Sequence, residues 1–369
     1  MQTGQARSTP GAAVVVCAQA WRRQGRSLGS LGSRSAARYL PPVAAWRRAW
    51  VGLGLACAAG LALAQGAGPA GHWLGRVQLA SSVTSYQGTL MVSTSGVVSS
   101  SRVLHVCDGR QRYERVESLD GKARVQLRHN DQLLTLWPTS KQARSESRDP
   151  VAEFPSLSVL AGPLALENYE PASLVRDRIA GHEADVLMLK PRDKLRYAQR
   201  LWADRETGLL LRNDVIGPGG EVLESSAFTE VQIGGRLSAE PVLGPMKRID
   251  GYKLVRATSQ RAQIEAEGWL LGRQVPGFQL VSCSKRPLAD GDPAVAPVQV
   301  LQSVFSDGLA HVSVFIEPFD PVRHQQALGT SLGANHTVSS RQGDWWFTVV
   351  GEVPMATAQQ FSGLFERRR

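Results

Sequence analysis

The sequence predicts a mainly β protein with a few helices, of α+β class: a large antiparallel sheet followed by a smaller α+β domain. Three observations carry this. Residues 86–233 break into short runs that alternate apolar with polar side chains, the period of a half-buried strand. Asp-Gly and Asn-Asp pairs separate those runs at hairpin spacing. A stretch rich in Gly and Pro then divides the chain, and 369 residues suffice for two domains of ordinary size.

The net charge of +10 suggests nucleic acid until the charges are located. Residues 1–64 hold eight arginines, no lysine and no acid; taking those eight from the 42 basic residues leaves 34 against 32 acidic, a net of +2. The body of the chain is therefore nearly neutral, which excludes nucleic-acid binding through bulk charge. Within the basic segment, Arg47-Arg48 precede an uncharged run from Trp50 to Leu63, and Ala62-Leu63-Ala64 forms a small-x-small site. That is the layout of a secretory signal peptide with cleavage near Ala64. The run is 14 residues, short of the ~20 that a spanning helix needs. Residues 1–64 are read as leader and signal peptide, and the rest as an exported chain.

His72–Ala80 reads as a short amphipathic helix. Strands are expected at Tyr86–Ser93, Arg102–Cys107, Gln111–Ser118, Ala123–Arg128 and Gln132–Trp137, turning at Asp108-Gly109, Asp120-Gly121 and Asn130-Asp131. Prolines at 138, 150, 155 and 163 interrupt the pattern around a short helix, Ser156–Leu160. Strands resume at His182–Lys190, Ala198–Ala203, Leu209–Ile216, Val222–Phe228 and Glu230–Ile233. Such a sheet must curl, split or close to manage its edges. A first domain over 65–236 and a linker over 237–248 follow. The second domain, 249–369, is expected to hold a helix at Ser259–Glu267. Its strands are expected at Phe278–Ser284, Val298–Phe305, Ala310–Ile316 and Trp345–Val350, with a last helix from Pro354 to Glu366.

No catalytic or metal-binding set is legible. Gly329-Thr330-Ser331-Leu332-Gly333 matches a nucleophile elbow, but a polar run precedes it and no His follows Asp344. The seven histidines are scattered, with no i,i+4 pair, and there is no C-x-x-C or phosphate loop. The expectation is a binding protein without enzymatic activity, cofactor or metal. Cys107 and Cys283, the two cysteines beyond the leader, permit one disulfide that would lock the domains together; two free thiols are the other possible state. In a strand, Trp345 and Trp346 point to opposite faces. The outer ring is either covered by the last helix or anchors a partner, and Phe315 and Phe319 pose the same question.

Several stretches carry a family resemblance. SYQGT (85–89), YERVESLDGKARVQLRHNDQLLTLWP (113–138) and GHEADVLMLKPRDKLRYAQRLWADRETGLLLRNDVIGPGGEVLESSAFTEV (181–231) resemble the N-terminal domain of the MucB/RseB family. FSDGLAHVSVFIEP (305–318) and RQGDWWFTVVGEVP (341–354) are similar to its C-terminal domain. The resemblance implies an unclosed antiparallel barrel like the lipoprotein carriers LolA and LolB, with an apolar cavity, then a smaller α+β domain. It implies a periplasmic negative regulator that binds the periplasmic part of a single-pass anti-sigma factor and shields it from regulated proteolysis. Lipopolysaccharide or another acyl ligand would release the client. On that reading Leu90, Val92, Leu134, Leu136, Leu187, Leu189 and Leu211 are the cavity candidates. Phe315, Phe319, Trp345 and Trp346 are the partner-contact candidates, and a homo-oligomer stays open. The alternative is a periplasmic carrier of lipid or lipoprotein with no client to protect.

Overall fold

The computed structural model describes residues 68–147, 162–257, 259–287 and 298–368. The expected leader and signal peptide over 1–64, and the helix expected at Ser156–Leu160, lie outside these residues. No helix among the described residues is long and apolar enough to cross a membrane.

The chain enters through α1 (Pro69–Val83), with Pro at its first position, where no backbone N–H is needed. Trp73, Val77 and Ala80 recur at intervals of four and three and, with Leu74, bury one face. A meander follows: β1 (Tyr86–Thr94), β2 (Val97–Cys107), β3 (Arg112–Ser118), β4 (Val125–His129), β5 (Gln132–Trp137) and β6 (Gln142–Ser147). After the short α2 (Gly162–Asn168) comes a second meander: β7 (Tyr169–Ile179), β8 (His182–Pro191), β9 (Ala198–Asp204), β10 (Leu210–Ile216) and β11 (Val222–Ile233). β11 pairs antiparallel with β1 and joins the meanders into one sheet. The two strands expected at 222–228 and 230–233 are this single strand, with the register slipping at Thr229.

The segment expected as linker holds a helix, α3 (Glu240–Lys247), and the next strand, β12 (Lys253–Ala257), pairs parallel with β6. The first sheet thus takes in residues past the boundary expected at 248. Its order is β12-β6-β5-β4-β3-β2-β1-β11-β10-β9-β8-β7, twelve strands whose ends do not meet. The barrel is unclosed, as the resemblance implied.

The second sheet is built from β13 (Gln260–Arg261), β15 (Gln279–Pro287), β16 (Gln299–Ser306), β17 (His311–Pro318), β18 (Gly329–Leu332), β19 (Asn335–Gln342) and β20 (Trp345–Gly351). Its order is β13-β15-β16-β17-β20-β19-β18. β14 (Trp269–Leu271) pairs separately with β21 (Phe365–Arg367). The helix expected at Ser259–Glu267 is instead β13 and a turn, because Ile264 and Trp269 are drawn into the core. The last helix, α4 (Met355–Ser362), stops short of Glu366, and Phe365 reaches the same core from β21.

The β16–β17 hairpin fastens the two sheets. Leu309 at its tip lies in the core of the first domain. Beside it Asp307 and Arg196 form an ion pair of 2.7 Å with both side chains fully buried. Asp307 also accepts from Tyr169 (3.0 Å) and from the backbone N–H groups of Leu309 and Ala310 (2.9 and 2.8 Å). Burial and the neighbouring carboxylate push the Tyr169 phenol up, which keeps it a donor. Arg196 donates to the Pro276 carbonyl, and Asn168 to those of Gly277 and Asp307. Gly277 has φ +78°, and a Cβ there would strike Asn168 and the Arg196 guanidinium. At a second contact Gly333, φ +60°, donates to Ser95 Oγ (2.7 Å) and Asn335 donates to Glu224 (3.1 Å). There Glu224 of β11 meets Glu352 of the second domain. Burial, then the Glu224 charge, raises the Glu352 carboxyl to about 8.

A second polar cluster lies in the first domain. His105 stacks on Tyr86 at 5.1 Å, and its Nδ1 is 3.0 Å from Glu114 Oε1. Burial opposes its charge, but its contacts with Cys107 and Glu114 outweigh that and raise it to about 9.

Asp307→Asn removes the buried carboxylate and leaves Arg196 only the partly exposed Asp193, at 2.9 and 3.0 Å, as counter-charge; it should cost about 2 kcal/mol in denaturant unfolding. Glu352 holds its proton in the folded state up to about 8, and the unfolded chain releases it above 4.5, so stability falls as pH rises between those values. The His105 contribution is complete below 6.5 and is lost on rising to about 9. The thermal midpoint should therefore drop from pH 4.5 to about 9, most steeply between 6.5 and 8 where both groups act, and Glu352→Gln should flatten the drop below pH 8.

Candidate functional site

The seven cavity candidates do not line one interior. Leu90, Leu187, Leu189 and Leu211 are at most 1% exposed in the core beneath α1 and α2, with Val92 against them. Trp73, Leu74 and Val77 of α1, Ala165 of α2, and Leu309 of the second domain fill the same space. Leu134 and Leu136 face the other way. On β2, Val103 belongs to the Leu90 core while Leu104 points oppositely, and the register carries Leu104 across to Arg115, Leu127 and Leu134. This second core is capped by Val242 of α3. The central strands are thus covered on both faces by different helices.

Beside α3, on the Leu104 face, lies a groove of about 700 Å³. Its walls are about half polar: Thr89 donates to Glu230 (2.9 Å), Gln87 to Gln232 (2.7 Å), and Arg115 to Glu117 (2.9 Å) and the Pro241 carbonyl (3.2 Å). These residues come from β1, β2, β3, β11 and α3, which no local pattern in the sequence connects.

The partner-contact candidates also separate. Trp345 faces the core of the second domain, edge-on to Trp269 at 5.3 Å. Trp346 faces outward but is 7% exposed, stacked on His324 at 4.7 Å with Phe319 at 6.1 Å. Its cover is the segment after β17, not the last helix. Arg341 lies 3.8 Å over the half-buried Phe319 ring, and His324 and Arg323 pair with Glu317. Phe315 shares the Trp346 face, buried under Arg286. Phe319, His324, Arg341 and Trp346 therefore form one aromatic and cationic patch, in which His324 was not expected from the sequence.

The bridge between Cys107 and Cys283 is not formed; both are free thiols on different sheets. Cys107 contacts His105 and the Ser82 carbonyl, and Cys283 contacts Ser303. Ser331 sits in the short exposed strand β18, with a turn and not a helix after it, so the elbow geometry is missing. Among the described residues no group of three His, Cys, Asp or Glu is placed to hold a metal.

Residues 69–246 match the MucB/RseB N-terminal domain family and residues 263–364 the MucB/RseB C-terminal domain family. The sigma factor AlgU regulatory protein MucB of Pseudomonas aeruginosa is 31% identical over 309 residues, covering 80% of this chain and 90% of that protein. The sigma-E factor regulatory protein RseB of Salmonella typhimurium is 27% identical, covering 79% and 89%. Among solved structures, the Pseudomonas aeruginosa MucA/MucB complex superposes with a TM-score of 0.60 at 27% identity, covering 81% of this chain and 99% of that one. MucB in complex with MucA(peri) gives 0.60 at 26%, with the same coverage. With both domains matched in order, the chain belongs to the MucB/RseB family.

Proposed function

We propose that this protein is a periplasmic regulator that binds the periplasmic part of a transmembrane anti-sigma factor and hides its cleavage site from the first regulatory protease. The observation that carries this is coverage: both domains align along nearly the whole length of a relative solved in complex with MucA. The signal-peptide layout of residues 47–65 supports export.

The client contact is assigned to the second domain, at the patch of Phe319, His324, Arg341 and Trp346. Aromatic and arginine side chains at one half-buried spot are what binding hot spots are made of. Trp345 and Phe315 are given a packing role instead, since their rings are spent on Trp269 and Arg286. The release signal is a lipopolysaccharide or other acyl ligand. It acts only if it binds the client-free state better than the client-bound one. Because α1 and α2 already occupy the space against Leu90, Leu187, Leu189 and Leu211, acyl chains would enter there by displacing them.

Calorimetry with the anti-sigma segment of the same genome, with and without lipopolysaccharide, tests the proposal. Tight binding weakened by lipid supports both regulator and switch. Tight binding indifferent to lipid removes the switch, and no binding with acyl ligands still taken up favours a lipid or lipoprotein carrier. Phe319→Ala should weaken the client Kd roughly tenfold, about 1.4 kcal/mol, with little change in thermal midpoint. Trp345→Ala should instead lower the midpoint.

A further inference from the structure

The Cys107 thiol has surroundings that the proposed client contact does not use. It closes β2, half-exposed, with Sγ 3.0 Å from His105 Nε2. The far nitrogen of the same ring, Nδ1, lies 3.0 Å from Glu114 Oε1, and Arg128 stands 3.5 Å from the other oxygen of that carboxylate. Tyr86 stacks parallel to the ring, and His105 is 2% exposed. Thiol, imidazole and carboxylate are thus in line, with the ring fixed from the side and from behind. This is the order of groups that activates a sulfur nucleophile. Two more contacts hold the cysteine: Sγ is 3.1 Å from the carbonyl of Ser82 in the last turn of α1, and the Cys107 N–H donates to Ser85 Oγ, just before β1, at 2.9 Å.

We propose that Cys107 is a thiol-modification site that exchanges with disulfides of low molecular weight, and that the adduct loosens α1 from the sheet. In the step the Cys107 sulfur attacks one sulfur of the disulfide. The new bond joins Cys107 Sγ to that sulfur, the old S–S bond breaks, and the second sulfur leaves as a thiolate that takes up the thiol proton. Cys107 is oxidised to the mixed disulfide and the displaced half is reduced, so nothing beyond the disulfide itself is consumed. The His105 imidazolium, held in that form by Glu114, points an N–H at the sulfur that carries the developing charge.

Cys283 provides the internal contrast. Burial pushes its thiol up, its neighbour is the Ser303 hydroxyl, and no imidazole adjoins it. The structural consequence follows from position. The adduct replaces the S–H that Cys107 directs at the Ser82 carbonyl, so the last turn of α1 loses its hydrogen bond to β2. That helix supplies Trp73, Leu74 and Val77 to the core over the first sheet, so oxidation at Cys107 acts on the cover of the interior.

The test treats the purified, reduced protein with glutathione disulfide at pH 7 and follows each cysteine by peptide-resolved mass spectrometry. Cys107 should form its adduct at least tenfold faster than Cys283. His105→Phe keeps a ring against Tyr86 and removes both N–H groups, and it should lower the Cys107 rate about tenfold while leaving Cys283 unchanged. Hydrogen exchange of residues 69–83 should rise on adduct formation. Equal rates at the two cysteines, or faster reaction at Cys283, overturn the proposal even if the variant does not fold. An unchanged Cys107 rate in a folded His105→Phe protein overturns the role of the relay. Adduct formation without faster exchange in α1 overturns the coupling to the helix.

Discussion

One buried ion pair sets the relation of the two domains. Arg196 and Asp307 sit in strand connections of different sheets, and both side chains are wholly withdrawn from water. Such a pair is tolerable only when the remaining donors and acceptors are also satisfied. Here Tyr169, two backbone N–H groups of the hairpin, the Pro276 carbonyl and the Asp193 carboxylate complete the set. The hydrogen bonds to these charged groups depend steeply on distance and angle, so the junction specifies an orientation more sharply than apolar burial alone. Leu309, inserted next to it, supplies the apolar contact that the pair itself does not.

This junction also bears on how a regulator of this shape works. The interior of the first sheet is closed by α1 and α2 on one face, and α3 closes the opposite face. Tyr169 and Leu309 belong to the first of these cores, and both adjoin the interdomain pair. Anything that rearranges the first core therefore reaches the second domain through atoms in direct contact. Under the proposed function, a ligand in one domain and a client on the other need no longer route than that to influence each other.

The resemblance and the alternating strands made the architecture legible, and the departures have physical reasons. β7, YEPASLVRDRI, is an edge strand exposed along nearly its whole length, so no burial alternation marks it. β6 and β19 are likewise rich in polar residues and escape a search for apolar runs. Ser259–Glu267 has helical composition, but the pull of Ile264 and Trp269 into the core overrides propensity. The site was less legible than the fold. Leu90 and Leu134 look equivalent in sequence, and only the cross-strand register shows that they face opposite ways. Asp307 reads as a turn residue, which it is; that its second oxygen anchors a domain depends on Arg196, 111 positions away.

The pairing of β1 with β11 governs how the chain is assembled. Thr89 lies against Glu230, a separation of 141 residues, so the strand that emerges early waits for one of the last in its domain. Until then β1 is an open edge of the β1–β6 meander, although it lies at the centre of the finished sheet. Contacts of such long range slow folding and prolong the exposure of unpaired strand edges. A nascent chain that stalls anywhere before residue 222 is thus a template for pairing with another copy. The interval between making the first strand and the eleventh is when this protein is most exposed to aggregation.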